Sequence, residues 1–146
     1  MKLIFDTSVW IAHLRWGTLD DVVPALRGRF WLWIDSVAVA ELLAGARSKK
    51  ERAVVTKLIR PFEKAGRVAH PERADFRRAG LALGRLRARG RSLKNPGAAL
   101  LDGLIAAVCA RIGALLVTAN LRDFEALAEE LPFRVGTLDA LGLPAP

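Results

Sequence analysis

The sequence predicts an α/β fold: a three-layer sandwich in which a mainly parallel, twisted sheet of four to five strands is flanked by helices. Three observations carry that prediction. Short apolar runs alternate with longer helical stretches, the order that builds parallel βαβ units. Two of the runs, Leu3-Ile4-Phe5 and Phe30 to Asp35, are apolar on both alternating faces, as strands covered by helices on both sides are. The first runs straight into Asp6 and the second ends in Asp35, and open parallel sheets form their sites outside the carboxyl ends of the strands.

In order, Ser8 can cap a short helix through Leu14, with Trp10, Ile11 and Leu14 on one face. A second short helix over Leu19 to Leu26 is weakened by Pro24. After the Phe30–Asp35 strand, Ser36 caps a helix from Val37 to Ala46. Glu51 to Lys64 is helical, Gly66 ends it, and Arg67 to His70 forms a short strand. Pro71 opens a helix to Arg89, with Gly90 placed to stop it. Asn95-Pro96 is a helix-start signal, and that helix runs to Ile112 and stops at Gly113. Ala114 to Thr118 is the next strand, Asn120 to Glu130 the next helix, and Phe133 to Gly136 a last strand; Leu141 to Pro146 is a tail or short turn.

The 146 residues suit one domain, taken as residues 1–146, with no repeat or linker. The single Cys109 excludes an internal disulfide, suits a reducing compartment and reads as a small core residue. Asp6 interrupts the apolar start too early for a signal peptide, and no apolar stretch is long enough to span a bilayer. The expected location is the cytoplasm, with no membrane partner. A formal charge of +8 favours polyanionic partners, although solubility alone also explains it.

Three acids stand out. Asp6 follows a strand, where a carboxylate is as often only a helix cap. Glu41 is the only charge between Asp35 and Arg47, and a charge inside so apolar a helix is costly unless paired or metal-bound. A salt bridge to an arginine is the alternative. Asp102 repeats the pattern, flanked by Ala98-Ala99-Leu100-Leu101 and Gly103-Leu104-Ile105. The Asn95 start places it in the second turn, past the strongest reach of the helix dipole. Gly103 would let a neighbour approach closely. Asn120 follows a strand end as Asp6 does, and Asp123 either completes a capping box with it or joins the site. Thr7, Ser8 and Thr118 supply supporting hydroxyls. Carboxylates gathered in space repel one another, and a divalent cation reverses that balance. All candidate ligands offer oxygen, which selects magnesium or manganese over zinc. His13 and His70 are single and separated, so structural or surface roles are expected.

With these residues in hand, the sequence resembles the PIN-domain ribonucleases, in particular VapC-type toxins of toxin–antitoxin pairs. The resemblance spans nearly the whole chain. It is carried by Phe5-Asp6-Thr7-Ser8-Val9-Trp10-Ile11, Ser36-Val37-Ala38-Val39-Ala40-Glu41-Leu42, Leu101-Asp102-Gly103-Leu104-Ile105-Ala106-Ala107 and the Leu116 to Phe124 stretch. It implies a PIN-like fold and a metal-dependent endoribonuclease, with Asp6, Glu41 and Asp102 as the catalytic and metal-binding acids. The family's fourth acidic position falls at Asn120, an amide, with Asp123 three residues on. The resemblance also implies a homodimer and a cognate antitoxin. The proposed reaction is hydrolysis of an RNA phosphodiester with Mg2+ or Mn2+.

From Arg77 to Lys94 there are seven basic residues and no acid. Arg85, Arg87, Arg89, Arg91 and Lys94 are the candidate RNA-phosphate contacts; some also complement a helix C-terminus. Trp31 and Trp33 are expected to be mostly core. Trp10 and Trp16 either pack or line a partner groove, and stacking of RNA bases on an exposed tryptophan is a further reading. Two other functions compete. A non-catalytic RNA-binding module explains the charge but not Glu41 or Asp102. An Asp-based phosphotransfer enzyme of the haloacid-dehalogenase kind would carry a second aspartate where Ser8 stands.

Overall fold

The computed structural model describes residues 1–93 and 97–142. The expected helix start at Asn95 and Pro96, the candidate contact Lys94 and the last four residues of the tail lie outside them. Strand β1 is Lys2–Phe5, followed by α1 (Thr7–Trp16), α2 (Val22–Leu26), β2 (Trp31–Asp35), α3 (Ser36–Gly45) and α4 (Lys49–Lys64). Then come β3 (Val68–Ala69), α5 (Arg73–Ala88), α6 (Ala99–Ile112), β4 (Leu115–Val117), α7 (Leu121–Ala128), β5 (Arg134–Gly136) and a 3-10 turn over Asp139–Leu141.

The five strands form one parallel sheet in the order β3-β2-β1-β4-β5. The expected fold class is what the structure has, at the upper end of the expected strand count. Side chains alternate across β1 and so feed two cores. Ile4 packs with α6 and Phe124 of α7, whereas Leu3 and Phe5 pack with Trp10 of α1, Ile34 and α4. All three are completely buried, which is why the run reads as apolar without a polar face.

Helix boundaries differ from expectation where a residue other than the expected one takes the cap position. Helix α1 begins at Thr7, so Asp6 occupies the cap position, yet its side chain makes no capping bond. Helix α3 begins at Ser36, and the cap is Asp35, whose Oδ1 accepts from the Val37 N–H at 2.7 Å. Helix α4 starts at Lys49 rather than Glu51, because Ser48 Oγ accepts from the Glu51 N–H. Gly90 and Gly113 end α5 and α6 with φ of 71° and 67°, the left-handed conformation that the stop signals required.

Helices α5 and α6 lie against each other. A Cβ built on Gly103 would stand 3.3 Å from Cβ of Ala79, so the close approach read from Gly103 is by α5 itself. Helix α6 is buried from Gly103 through Cys109, which places Cys109 in the core as expected.

Candidate acidic site

Strands β1 and β4 are neighbours in register, so the residues just past their carboxyl ends meet. The Asp6 N–H donates to the Val117 carbonyl at 2.9 Å, continuing the ladder by one residue. Asp6 Oδ2 accepts from Ser8 Oγ at 2.7 Å and from Thr118 Oγ1 at 2.9 Å. Each hydroxyl is held in turn. Ser8 Oγ accepts from the Ala119 N–H, and Thr118 Oγ1 from the Asn120 N–H. The carboxylate is 5% exposed and fixed by one oxygen. Its Oδ1 accepts no hydrogen bond among the described residues. The helix-cap alternative for Asp6 fails, because the side chain is turned to these hydroxyls instead.

Glu41 projects from the middle of α3 and is half-buried. Its Oε1 accepts from Thr7 Oγ1 at 2.8 Å. Burial raises its carboxyl above the ordinary range, the Thr7 hydroxyl draws it back, and the charge of Asp6 raises it again. Asp102 stands in the first turn of α6, not the second, because the described helix begins at Ala99. The helix dipole there favours its charge. Even so its pKa is pushed up to about 7, first by burial, then by Asp6, Glu41 and Asp123. Among the described residues, no arginine, lysine or histidine forms an ion pair with Asp6, Glu41 or Asp102. The salt-bridge alternative for Glu41 therefore finds no partner among the described residues, and Asp102 feels the charges of Asp6 and Glu41 with no ion pair among those residues to offset them. No three His, Cys, Asp or Glu side chains among the described residues are drawn together tightly enough to enclose an ion by themselves.

Asn120 sits at the cap position of α7 without capping it. Its Nδ2 donates to Asp123 Oδ2 at 3.0 Å, and Asp123 is buried within electrostatic reach of Asp102. Asp123 thus belongs to the acidic group rather than to a reciprocal capping box.

The basic run is arranged differently from the other site residues. Arg89 reaches both Glu129 and Glu130 at 2.8 Å, Arg91 reaches Glu129 at 3.0 Å, and Arg85 lies 3.9 Å from Glu130. Each must release a carboxylate to take up a phosphate. Arg87 forms no ion pair among the described residues. Two arginines that sequence reasoning passed over, Arg15 and Arg47, line a cleft together with Glu41. The available signals were weak: Arg15 lies two helical turns beyond Ser8, and Arg47 is the first charge after the apolar helix of Glu41.

Trp10 is core, edge-on to Phe5 and Phe62, and Trp33 is half-buried. Trp31, expected in the core, is instead 61% exposed. It is the first residue of β2, where helical cover has not begun, and the Arg67 guanidinium lies 5.3 Å from its ring. Trp16 is 72% exposed at the end of α1. His13 Nδ1 accepts from the Leu19 N–H, a structural role.

A second buried acid was read only as a strand end. Asp35 is inaccessible, and its Oδ2 has no hydrogen-bond partner among the described residues. Its pKa is raised to about 7, mainly by burial, with Asp75 and Glu41 adding and Arg111 opposing. Arg111 Nε meanwhile donates to Asp75 Oδ2 at 2.9 Å.

The profile of the PIN domain family matches residues 3–130. The chain is similar to VapBC from Salmonella typhimurium, solved bound to DNA, at 21% identity and a TM-score of 0.70, covering 94% of this chain and 98% of that one. VapBC-1 from nontypeable Haemophilus influenzae is similar at 20% identity and TM-score 0.72, covering 95% and 99%. FitAcB from Neisseria gonorrhoeae is similar at 20% and 0.69, covering 94% and 98%. At these identities the likeness is one of fold. No curated protein sequence matches the chain.

Proposed function

The chain belongs to the PIN domain family, and from that premise we propose that it is a metal-dependent endoribonuclease, the toxin of a toxin–antitoxin pair. The observation that carries the proposal is the group Asp6, Glu41 and Asp102, in which the charge of Asp6 raises the carboxyl pKa of Glu41, the charges of both raise that of Asp102, and none of the three forms an ion pair among the described residues. Such a group is stable in its ionised form when a divalent cation offsets the repulsion.

The residues fit such a cation. The donors are hard oxygens throughout, which suits Mg2+ or Mn2+. Magnesium commonly keeps several waters and takes one or two carboxylates, so a site without three converging acids is compatible with it. Asp6 through Oδ1 and Asp102 are the residues that would hold the ion, and Glu41 completes or borders its shell. When bound, the ion supplies charge that stabilises the phosphoryl oxygens and acidifies water. Ser8 and Thr118 fix Asp6 through Oδ2, and Oδ1, which accepts no hydrogen bond among the described residues, is the oxygen left for the ion. Thr7 holds Glu41 by Oε1, which leaves Oε2 to take the proton of the attacking water. A raised carboxyl pKa suits that general-base role. Asn120, oriented by Asp123, offers a neutral amide at the fourth position. Arg85, Arg87, Arg89, Arg91 and Lys94 are proposed contacts to RNA phosphates.

The same reading takes residues 1–146 as one nuclease domain, acting in the cytoplasm as a homodimer and blocked by a cognate antitoxin. Neighbours of the same fold were solved as VapBC complexes, and no described helix is long and apolar enough to cross a membrane. The test is incubation of the protein with single-stranded RNA and Mn2+, with and without EDTA. Cleavage is expected to require the metal and to be lost in Asp6→Asn, with an unchanged circular dichroism spectrum. Full activity in that folded variant, or cleavage indifferent to EDTA, would overturn the assignment.

A further inference from the structure

A cleft of about 440 Å3 opens between α1, α3 and α4, with Glu41 on its wall. Arg15 enters it from α1 and Arg47 from the link between α3 and α4. Both are exposed, and neither forms an ion pair among the described residues. The cleft contains two carboxylates, Glu41 and Glu51, and the arginines pair with neither. Glu41 is bound to Thr7, and Glu51 accepts the Arg47 backbone N–H from the first turn of α4. The fold thus holds two guanidiniums beside acids that are already engaged, which leaves their donors for a ligand.

The rest of the cleft has a second chemistry. Ile11 and Val54 give it partly exposed apolar walls. Next to Arg15 in the chain is Trp16, the most exposed large hydrophobic side chain among the described residues, whose ring lies 5.9 Å from the guanidinium of that cleft-lining arginine. Guanidiniums that take phosphates next to an exposed aromatic face that takes a base are the pair of features that hold single-stranded nucleic acid.

We propose that this cleft is the track that carries single-stranded RNA into the acidic site, with Arg15 and Arg47 on successive phosphates and Trp16 stacking an unpaired base. The proposal rests on the nuclease reading and names its substrate contacts. It puts the principal phosphate contacts on α1 and the α3–α4 link. Arg85 near the end of α5, and Arg89 and Arg91 just past it, are already taken up by Glu129 and Glu130.

The experiment measures binding of a labelled single-stranded oligoribonucleotide to the full chain in the Asp6→Asn background, across a salt series, with cleavage in Mn2+ measured in the parent background. The double variant Arg15→Ala/Arg47→Ala should weaken binding at least about tenfold. It should also flatten the log–log salt slope by about 1.4, since each single-strand phosphate contact contributes about 0.7. Trp16→Ala should weaken binding about tenfold with the slope unchanged, because stacking carries no counterion release. Trp31→Ala removes the same type of ring with the same type of arginine beside it, but from the start of β2 and not from the cleft lining, and should change nothing. Parent-like affinity and slope in a folded double variant would overturn the proposal, while metal-dependent cleavage by the parent would keep the nuclease reading intact. Cleft-dependent binding without any cleavage would do the reverse. A parent chain that neither binds nor cleaves RNA would overturn both.

Discussion

Asp6 and Asp35 have the same local signature, an aspartate after an apolar strand with a serine or threonine next, yet the fold uses them in opposite ways. Asp35 caps α3 with one oxygen and leaves the other buried without a partner. Asp6 does not cap its helix and instead receives one hydroxyl from Ser8, two residues on, and one from Thr118, which only the folded sheet brings to it. A buried acid of the Asp35 kind weakens the fold as pH rises. Its folded pKa of about 7 lies above the unfolded value near 3.8, so the folded state holds the extra proton between those two values. Stability therefore falls across that window and stays lower above it. Asp35→Asn keeps an oxygen for the Val37 N–H and carries no charge. Its melting temperature should match the parent near pH 4 and exceed it at pH 8. Parallel melting profiles for the two proteins would show that Asp35 does not titrate in the folded state. The three acids of the site were visible one by one as charges in apolar surroundings. Their hydroxyl partners Thr7, Ser8 and Thr118 are legible as supporting groups, but which carboxylate each one holds is not.

At the scale of elements, the α5–α6 pair shows how glycines of one sequence type carry different meanings. Gly103 sits where α5 comes closest, with Ala79 and Leu83 against the place a side chain would occupy. Gly80 is exposed on α5 with open space around it. Gly103→Val should lower unfolding free energy by about 1–3 kcal/mol through overpacking. Gly80→Ala should raise it by about 0.5–1 kcal/mol, since alanine loses less entropy in a helix. Denaturant unfolding of both variants checks the contrast, and a stable Gly103→Val protein would mean that the two helices can move apart freely. The start of α6 bears on the site as well. Beginning at Ala99, the helix aims its first turn at the acids and brings Asp102 under its dipole.

For the whole molecule, electrostatics links folding to the proposed cofactor. The acids at the end of the sheet repel one another while the chain as a whole is strongly basic, with a net charge of +8. Asp102 and Glu41, both raised, must lose their protons before they can hold a cation. Mn2+ should therefore raise the melting temperature more at pH 8 than at pH 5, and binding near neutral pH should release protons measurable by calorimetry in two buffers. An equal stabilisation at both pH values would contradict metal ligation by these carboxylates.

The sequence by itself determined the alternation of strands and helices, the buried character of β1, and the identity of the acids, because each of these leaves a signal within a few residues. Only the tertiary structure decided the strand order that sets β4 beside β1 and so brings Thr118 to Asp6 across 112 positions of chain. It also decided that Arg89 and Arg91 turn to Glu129 and Glu130 while Arg15 and Arg47, which form no ion pair among the described residues, line a cleft with Glu41. Periodicity and capping act over a turn or a strand, whereas the partner of a charge depends on which distant surfaces the packed sheet places together.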